Sequence, residues 1–219
     1  WNVKRPALDI EKSKPKKVFS WEQQKYFVQQ ALKDSLPDRQ KVPACLALLM
    51  LQGGLMQSEI GRLELDSIKL EGKYPYVIIK GKVKTVERVR LVPIVLGLDF
   101  IKENITQAKK YLSTVTESMA SKKVATFFRE YLEIDRTAHC LRHSLAHTFR
   151  SNGVPLADGV AIGGWSGSNK DIEISEHGLE YGADGLEYEE SLAALYKLSL
   201  KVHKHLLSVT GDNVIQLHG

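Results

Sequence analysis

Apolar and polar positions follow two periods along this chain, and the places where one gives way to the other mark its elements. Ser20, followed by Glu22 and Gln23, opens a helix in the capping manner, with Tyr26, Phe27, Ala31 and Leu32 on its apolar side and Pro37 as its end. From Val42 to Leu51 almost every residue is apolar, the pattern of a helix buried on all sides. Gly53-Gly54 interrupts it before a second helix that runs through Glu59 to Leu63, and this pair is expected to form the core. The stretch YPYVIIKGKVKTVERVRLVPI then alternates and is rich in β-branched residues, which predicts strands at about 75–80 and 87–94 joined by a basic turn. Helical spacing returns at about 98–111 and 122–132, in HCLRHSLAHTF, in LADGVAIGGW, and at 189–208. In that last segment Leu192, Leu195, Val202 and Leu206 make an apolar stripe on which Tyr196 reads as core.

The expected fold class is therefore mainly α with a small antiparallel β-sheet or hairpin, an α+β domain over residues 18–208. Residues 1–17 are polar, basic and broken by Pro6 and Pro15, so they read as an extended arm or an interdomain linker, and 209–219 as a C-terminal tail. The chain has no internal repeat and no low-complexity segment.

Composition narrows the class. With 219 residues, 43% of them hydrophobic and 26% charged, the chain can bury a full core. No apolar run has the length of a bilayer span and the first residues lack the order of a secretory signal, so a soluble, cytoplasmic protein with no membrane partner is expected. Two cysteines, Cys45 and Cys140, make neither a disulfide framework nor a thiolate metal site, and both are expected reduced. The net charge of +5 suits a polyanionic partner, and its distribution says more than its size. Lys12, Lys14, Lys16 and Lys17 cluster near the start, and Lys80, Lys82, Lys84, Arg88 and Arg90 crowd the predicted hairpin. These two groups are expected to build a DNA-facing side.

The densest chemistry lies in HCLRHSLAHTF. Helical residues three and four apart share a face, so His139, Arg142, His143 and His147 are expected to point roughly one way, with Leu141, Leu145 and Phe149 packed behind. Three readings compete. A zinc site would use the three histidines, but a metalloprotease helix needs a glutamate where Cys140 stands, and an arginine inside the cluster repels a cation. A polar face with a structural role is the second. An anionic ligand is the third and leads, because a guanidinium presents a planar fork to phosphate oxygens while a histidine one turn away adds a bond or moves a proton.

HCLRHSLAHTFRSNGVPLADGVAIGGW resembles the second signature box of the tyrosine recombinases, the phage-integrase family, which reads His-x-Leu-Arg-His-Ser/Thr, a helix, Gly-Val, an apolar helix, and Gly-His or Gly-Trp. Three other stretches are similar to further parts of the family pattern, in its order. GGLMQSEIGRLELDSI at 53–68 resembles the first box. KTVERVRLVPI at 84–94 resembles the basic hairpin, and VFSWEQQKYF the start of the catalytic domain. The resemblance covers roughly 18–200.

It implies a site-specific recombinase or integrase catalytic domain, serving a prophage or other mobile element. Such a domain cuts and rejoins duplex DNA through a 3′-phosphotyrosyl link, without metal or nucleotide cofactor and without a small-molecule substrate. By the same resemblance Arg142 stabilises the phosphoryl charge, His139 and His143 assist, Trp165 packs and donates its indole N–H, and Lys84 protonates the leaving 5′ oxygen. Lys80, Lys82, Arg88 and Arg90 would contact the DNA backbone. The nucleophile is assigned to Tyr181 in EHGLEYG, with Tyr188 and Tyr196 as alternatives. A full-length protein would act as a homotetramer on paired DNA sites, placed at the bacterial nucleoid when bound.

One position departs from the pattern. Where the family carries its first catalytic arginine, in Gly-Leu-Arg-x-x-Glu-Ile, this chain has Met56, and neither uncharged Gln57 nor Arg62, six residues on, replaces it. Losing one charged donor costs on the order of 3–4 kcal/mol, roughly a hundredfold to a thousandfold in rate. The alternative is thus a catalytically impaired DNA-binding relative of the same fold. A third reading, from another class, is a metal-dependent hydrolase built on the histidine face.

Overall fold

In the computed structural model, which describes residues 17–79, 90–164 and 189–210, the first helix starts as the sequence predicts. Ser20 Oγ accepts the Gln23 N–H at 3.2 Å and Gln23 Oε1 accepts the Ser20 N–H at 3.1 Å, a closed capping box ahead of α1 (Trp21–Ala31). Its buried side is Gln24, Phe27, Val28 and Ala31. Tyr26, expected on that side, is 44% exposed, because it stands one position before Phe27 and so points about 100° away from it.

Helix α2 (Asp38–Gly53) begins four residues before the apolar run, directly after Pro37, and carries Pro43 inside it. Every residue from Val42 to Gly53 is buried, as a helix apolar on all sides requires. Around it pack α4 (Leu98–Leu112), α5 (Glu117–Thr126) and α6 (Ala138–Ser151). Thr116, whose Oγ1 accepts the Met119 N–H, caps α5 so that it starts at Glu117, ahead of the predicted start at 122, and a wider π-type turn, Phe127–Tyr131, follows it. That turn delivers Phe127 and Phe128 to Phe27 and Phe19, with ring centroids 4.9 Å apart for Phe19 and Phe128.

The sheet has three antiparallel strands in the order β1 (Ile68–Lys69), β2 (Tyr76–Ile79), β3 (Arg90–Pro93), with Val77 opposite Val92 and Ile79 opposite Arg90. The two longer strands lie within the predicted ranges, whereas two-residue β1 is too short to carry a period. Short α3 (Gln57–Gly61) sits between α2 and β1. Helix α7 (Leu156–Gly163) follows α6, and α8 (Glu189–Val202) and α9 (Lys204–Leu207) come last. Leu91, Leu145, Phe149, Ile162, Leu195 and Val202 form a second apolar cluster, which binds β3, α6, α7 and α8 together. Tyr196 is core, as read, and its hydroxyl donates to the Ile94 carbonyl at 2.9 Å.

The protein is thus mainly helical with a small three-stranded antiparallel sheet. Among the described residues no helix is long and apolar enough to cross a membrane. Both cysteines are buried and unbridged, and burial pushes the Cys45 thiol up to about 12.

Candidate functional site

The ends of two helices, α2 and α7, are bridged by the same buried side chains. The last carbonyls of an α-helix have no partner within it and carry the negative end of its dipole, and neither α2 nor α7 has a basic residue in its own last turn. Cations from elsewhere in the chain take that place.

Arg142, 6% exposed, is the first. Its Nη1 donates to the carbonyls of Gly54, after α2, and Gly163, at the end of α7, both at 2.6 Å, and its Nη2 donates to that of Gly164 at 3.2 Å. Arg90 is the second, and it bridges the same two helix ends. Its Nε donates to the Ile162 carbonyl at 2.8 Å and its Nη2 to the Gly53 carbonyl at 3.3 Å. The approach is close because Gly53 has no side chain: a Cβ there would lie 2.5 Å from Cγ1 of Val92 on β3.

Arg90 also holds Glu59 with both ends of its fork, Nη1 to Oε1 at 2.9 Å and Nη2 to Oε2 at 3.1 Å. Burial works to raise the Glu59 pKa, but the hydrogen bonds and charge of Arg90, the Met56 N–H bond and the charge of Arg142 outweigh it and hold the carboxyl below the usual range. Glu59 Oε2 accepts the Met56 N–H at 2.8 Å, so half-buried Met56, at the start of α3, is tied by its backbone to the same carboxylate.

A third side chain completes the end of α2. His203, 1% exposed between α8 and α9, donates its Nε2–H to the Gln52 carbonyl at 3.3 Å. Burial lowers its pKa to about 4, so the ring is neutral near pH 7. Three consecutive carbonyls, of Gln52, Gly53 and Gly54, therefore receive His203, Arg90 and Arg142. The Gln52 side chain is equally committed. Its Oε1 accepts the N–H groups of Val95 and Leu96, and its Nε2 donates to the Leu48 and Leu96 carbonyls.

The shared outlook expected of the histidine stretch divides. His139 and His147 are exposed, His143 is half-buried, and Arg142 is turned inward to the helix ends. Neighbours on a helix are roughly 100° apart, so Arg142 and His143 stand on different sides of the line through His139. The rings of His139 and His143 meet edge to face with centroids 4.5 Å apart. His147 Nδ1 lies 3.5 Å from Ser151 Oγ. Among the described residues no group of three or more His, Cys, Asp or Glu side chains is placed to hold a metal ion.

Arg90, expected on a DNA-facing side, is instead buried, because β3 turns it toward Glu59 and the two helix ends. Lys17 pairs at the surface with Asp135 at 3.1 Å. Gln57 binds Ser121 and Arg62 pairs with Glu117, so both residues after Met56 that carry polar groups of interest face α5. Tyr181, Tyr188, Lys84, Trp165, Lys80, Lys82 and Arg88 lie outside the described residues. Sequence reasoning missed Glu59, Gln52 and His203 as parts of this centre; the glutamate in the first-box stretch was the one available signal.

No family model matches this chain, and neither a curated protein nor a solved structure matches it at a significant level.

Proposed function

We propose that this chain is the catalytic domain of a tyrosine-type site-specific DNA recombinase, with the fold of that family's catalytic domains, acting on duplex DNA of a prophage or other mobile element. The observation that supports it most is a convergence. The Gly53-Gly54 turn and Glu59 of the first-box stretch, Arg90 of the hairpin stretch, and Arg142 with Gly163-Gly164 of the second-box stretch meet in one buried centre. These are the stretches that carry the resemblance, and they lie far apart in sequence.

In this reading the Tyr181 oxygen attacks a DNA phosphorus, a 3′-phosphotyrosyl bond forms, and the 5′ oxygen leaves with a proton from Lys84. Arg142, anchored by the helix ends, supplies positive charge that offsets the charge building on the nonbridging oxygens, and His139 and His143 supply further bonds or move the tyrosine proton. Trp165 packs against the phosphate and donates its N–H. Binding rests on phosphate contacts and weakens steeply with salt.

The test is a duplex nicked beside the cleavage site, from which a short 5′-hydroxyl fragment diffuses away and traps the covalent protein–DNA adduct. An adduct that is lost in Tyr181→Phe and kept in Tyr188→Phe supports the reading and the nucleophile. DNA binding with no adduct supports the second reading, a DNA-binding relative that has lost cleavage, which Met56 favours.

A further inference from the structure

Gly164 lies between the two arginines. Its carbonyl accepts from Arg142 Nη2, and its backbone is left-handed, with φ +59°. A Cβ built on it would stand 2.6 Å from Arg90 Nη1, 2.8 Å from Cζ and 3.1 Å from Cδ. The tip of an arginine ordinarily swings away from such an intrusion. This one is fixed by both oxygens of Glu59 and by the carbonyls of Gly53 and Ile162, so it has nowhere to yield without breaking the buried pair.

We infer that Gly164 is a positioning residue for Arg142: its bare left-handed backbone is the spacer that lets both guanidiniums close on the same two helix ends. The inference rests on the proposed function for what Arg142 does, and on the geometry for how it is held. An added methyl displaces Arg90, the carbonyl of residue 164 turns with the chain, and Arg142 loses one of its three anchors.

Gly153 supplies the control. It has nearly the same φ, +60°, but a Cβ there meets nothing within 4 Å, so Gly153→Ala carries the left-handed strain alone. Gly164→Ala is expected to lower the yield of trapped adduct at least a hundredfold while duplex affinity stays within threefold, and Gly153→Ala to keep both within threefold. An adduct yield within threefold of the parent in Gly164→Ala overturns the inference, as does an equal loss in Gly153→Ala.

A second measurement does not depend on cleavage. Gly164→Ala is expected to melt well below Gly153→Ala in the parent chain, and to melt no lower than Gly153→Ala when both are placed in a Glu59→Gln/Arg90→Val background. Equal melting of the two alanine variants in the parent chain overturns the inference. A parent protein that forms no adduct counts against the proposed function, and the melting comparison then decides the role of Gly164 by itself.

Discussion

Glu59 and Arg90 form a two-point ion pair whose side chains are 4% and 3% exposed, between the helix that follows the Gly53-Gly54 turn and the first residue of the last strand. A pair this deep has surrendered most of its hydration, and its value lies in the geometry it enforces as much as in its attraction. Here the carboxylate sets the direction of a guanidinium that also clasps two helix ends.

Glu59→Gln should therefore cost about 3 kcal/mol or more, since it leaves Arg90 buried without its counter-charge. Denaturant unfolding measures this. The double variant Glu59→Gln/Arg90→Met should be less destabilised than the sum of the two single changes, because the second removes the stranded charge. Additive costs would mean that the pair is not coupled.

Arg142→Lys keeps a positive charge but loses the fork that reaches three carbonyls at once. We expect about 2 kcal/mol of lost stability, from acceptors left unpaired at the two helix ends, and a loss of trapped adduct of about a hundredfold. Full retention of adduct in the lysine variant would remove Arg142 from the phosphate.

Acid should loosen the protein in two stages. His203 is held neutral with a pKa near 4 against an ordinary 6.5, so the unfolded chain binds the proton first as pH falls. Its contribution is fully present above about pH 6.5 and is lost progressively toward pH 4, on the order of 3 kcal/mol in all. Glu59, whose pKa is lowered, contributes above the ordinary carboxylate range and loses its part at still lower pH. Stability measured from pH 7.5 to 4 should slope downward in the parent and much less in His203→Gln, whose amide can donate to the same Gln52 carbonyl.

Met56→Arg returns a cation to the position where the first-box pattern carries one. Met56 is half-buried and already tied to Glu59 through its backbone, so the new side chain starts beside a buried carboxylate. The yield of trapped adduct should rise by about a hundredfold. No rise would show that this position does not limit cleavage.

Elements set by local chemistry were legible in the sequence. Ser20 and Gln23 announced α1, the unbroken apolar run announced α2, and Tyr196 sat in register with its stripe. What sequence did not reveal depends on contacts between distant segments. Arg90 is one of five basic residues in a β-branched stretch, and only the packing of α2 against β3 through Gly53 decides that it turns inward. The split between Arg142 and its histidine neighbours likewise depends on where two other helices end. Buried His203 sits in the pattern HKH, which gives no hint of the Gln52 carbonyl.

The end of α2 also depends on parts of the chain far from it in sequence. Its three carbonyl partners lie 37, 88 and 151 residues along the chain from the groups they meet. A growing chain that has just completed α6 holds Arg142 and Gly54 but neither Gly163 nor His203, so the clasp cannot close on it. Closing such long loops is slow and is rewarded only when the last segment docks. The centre is therefore whole only when α7 and the segment that carries His203 have both docked on the end of α2.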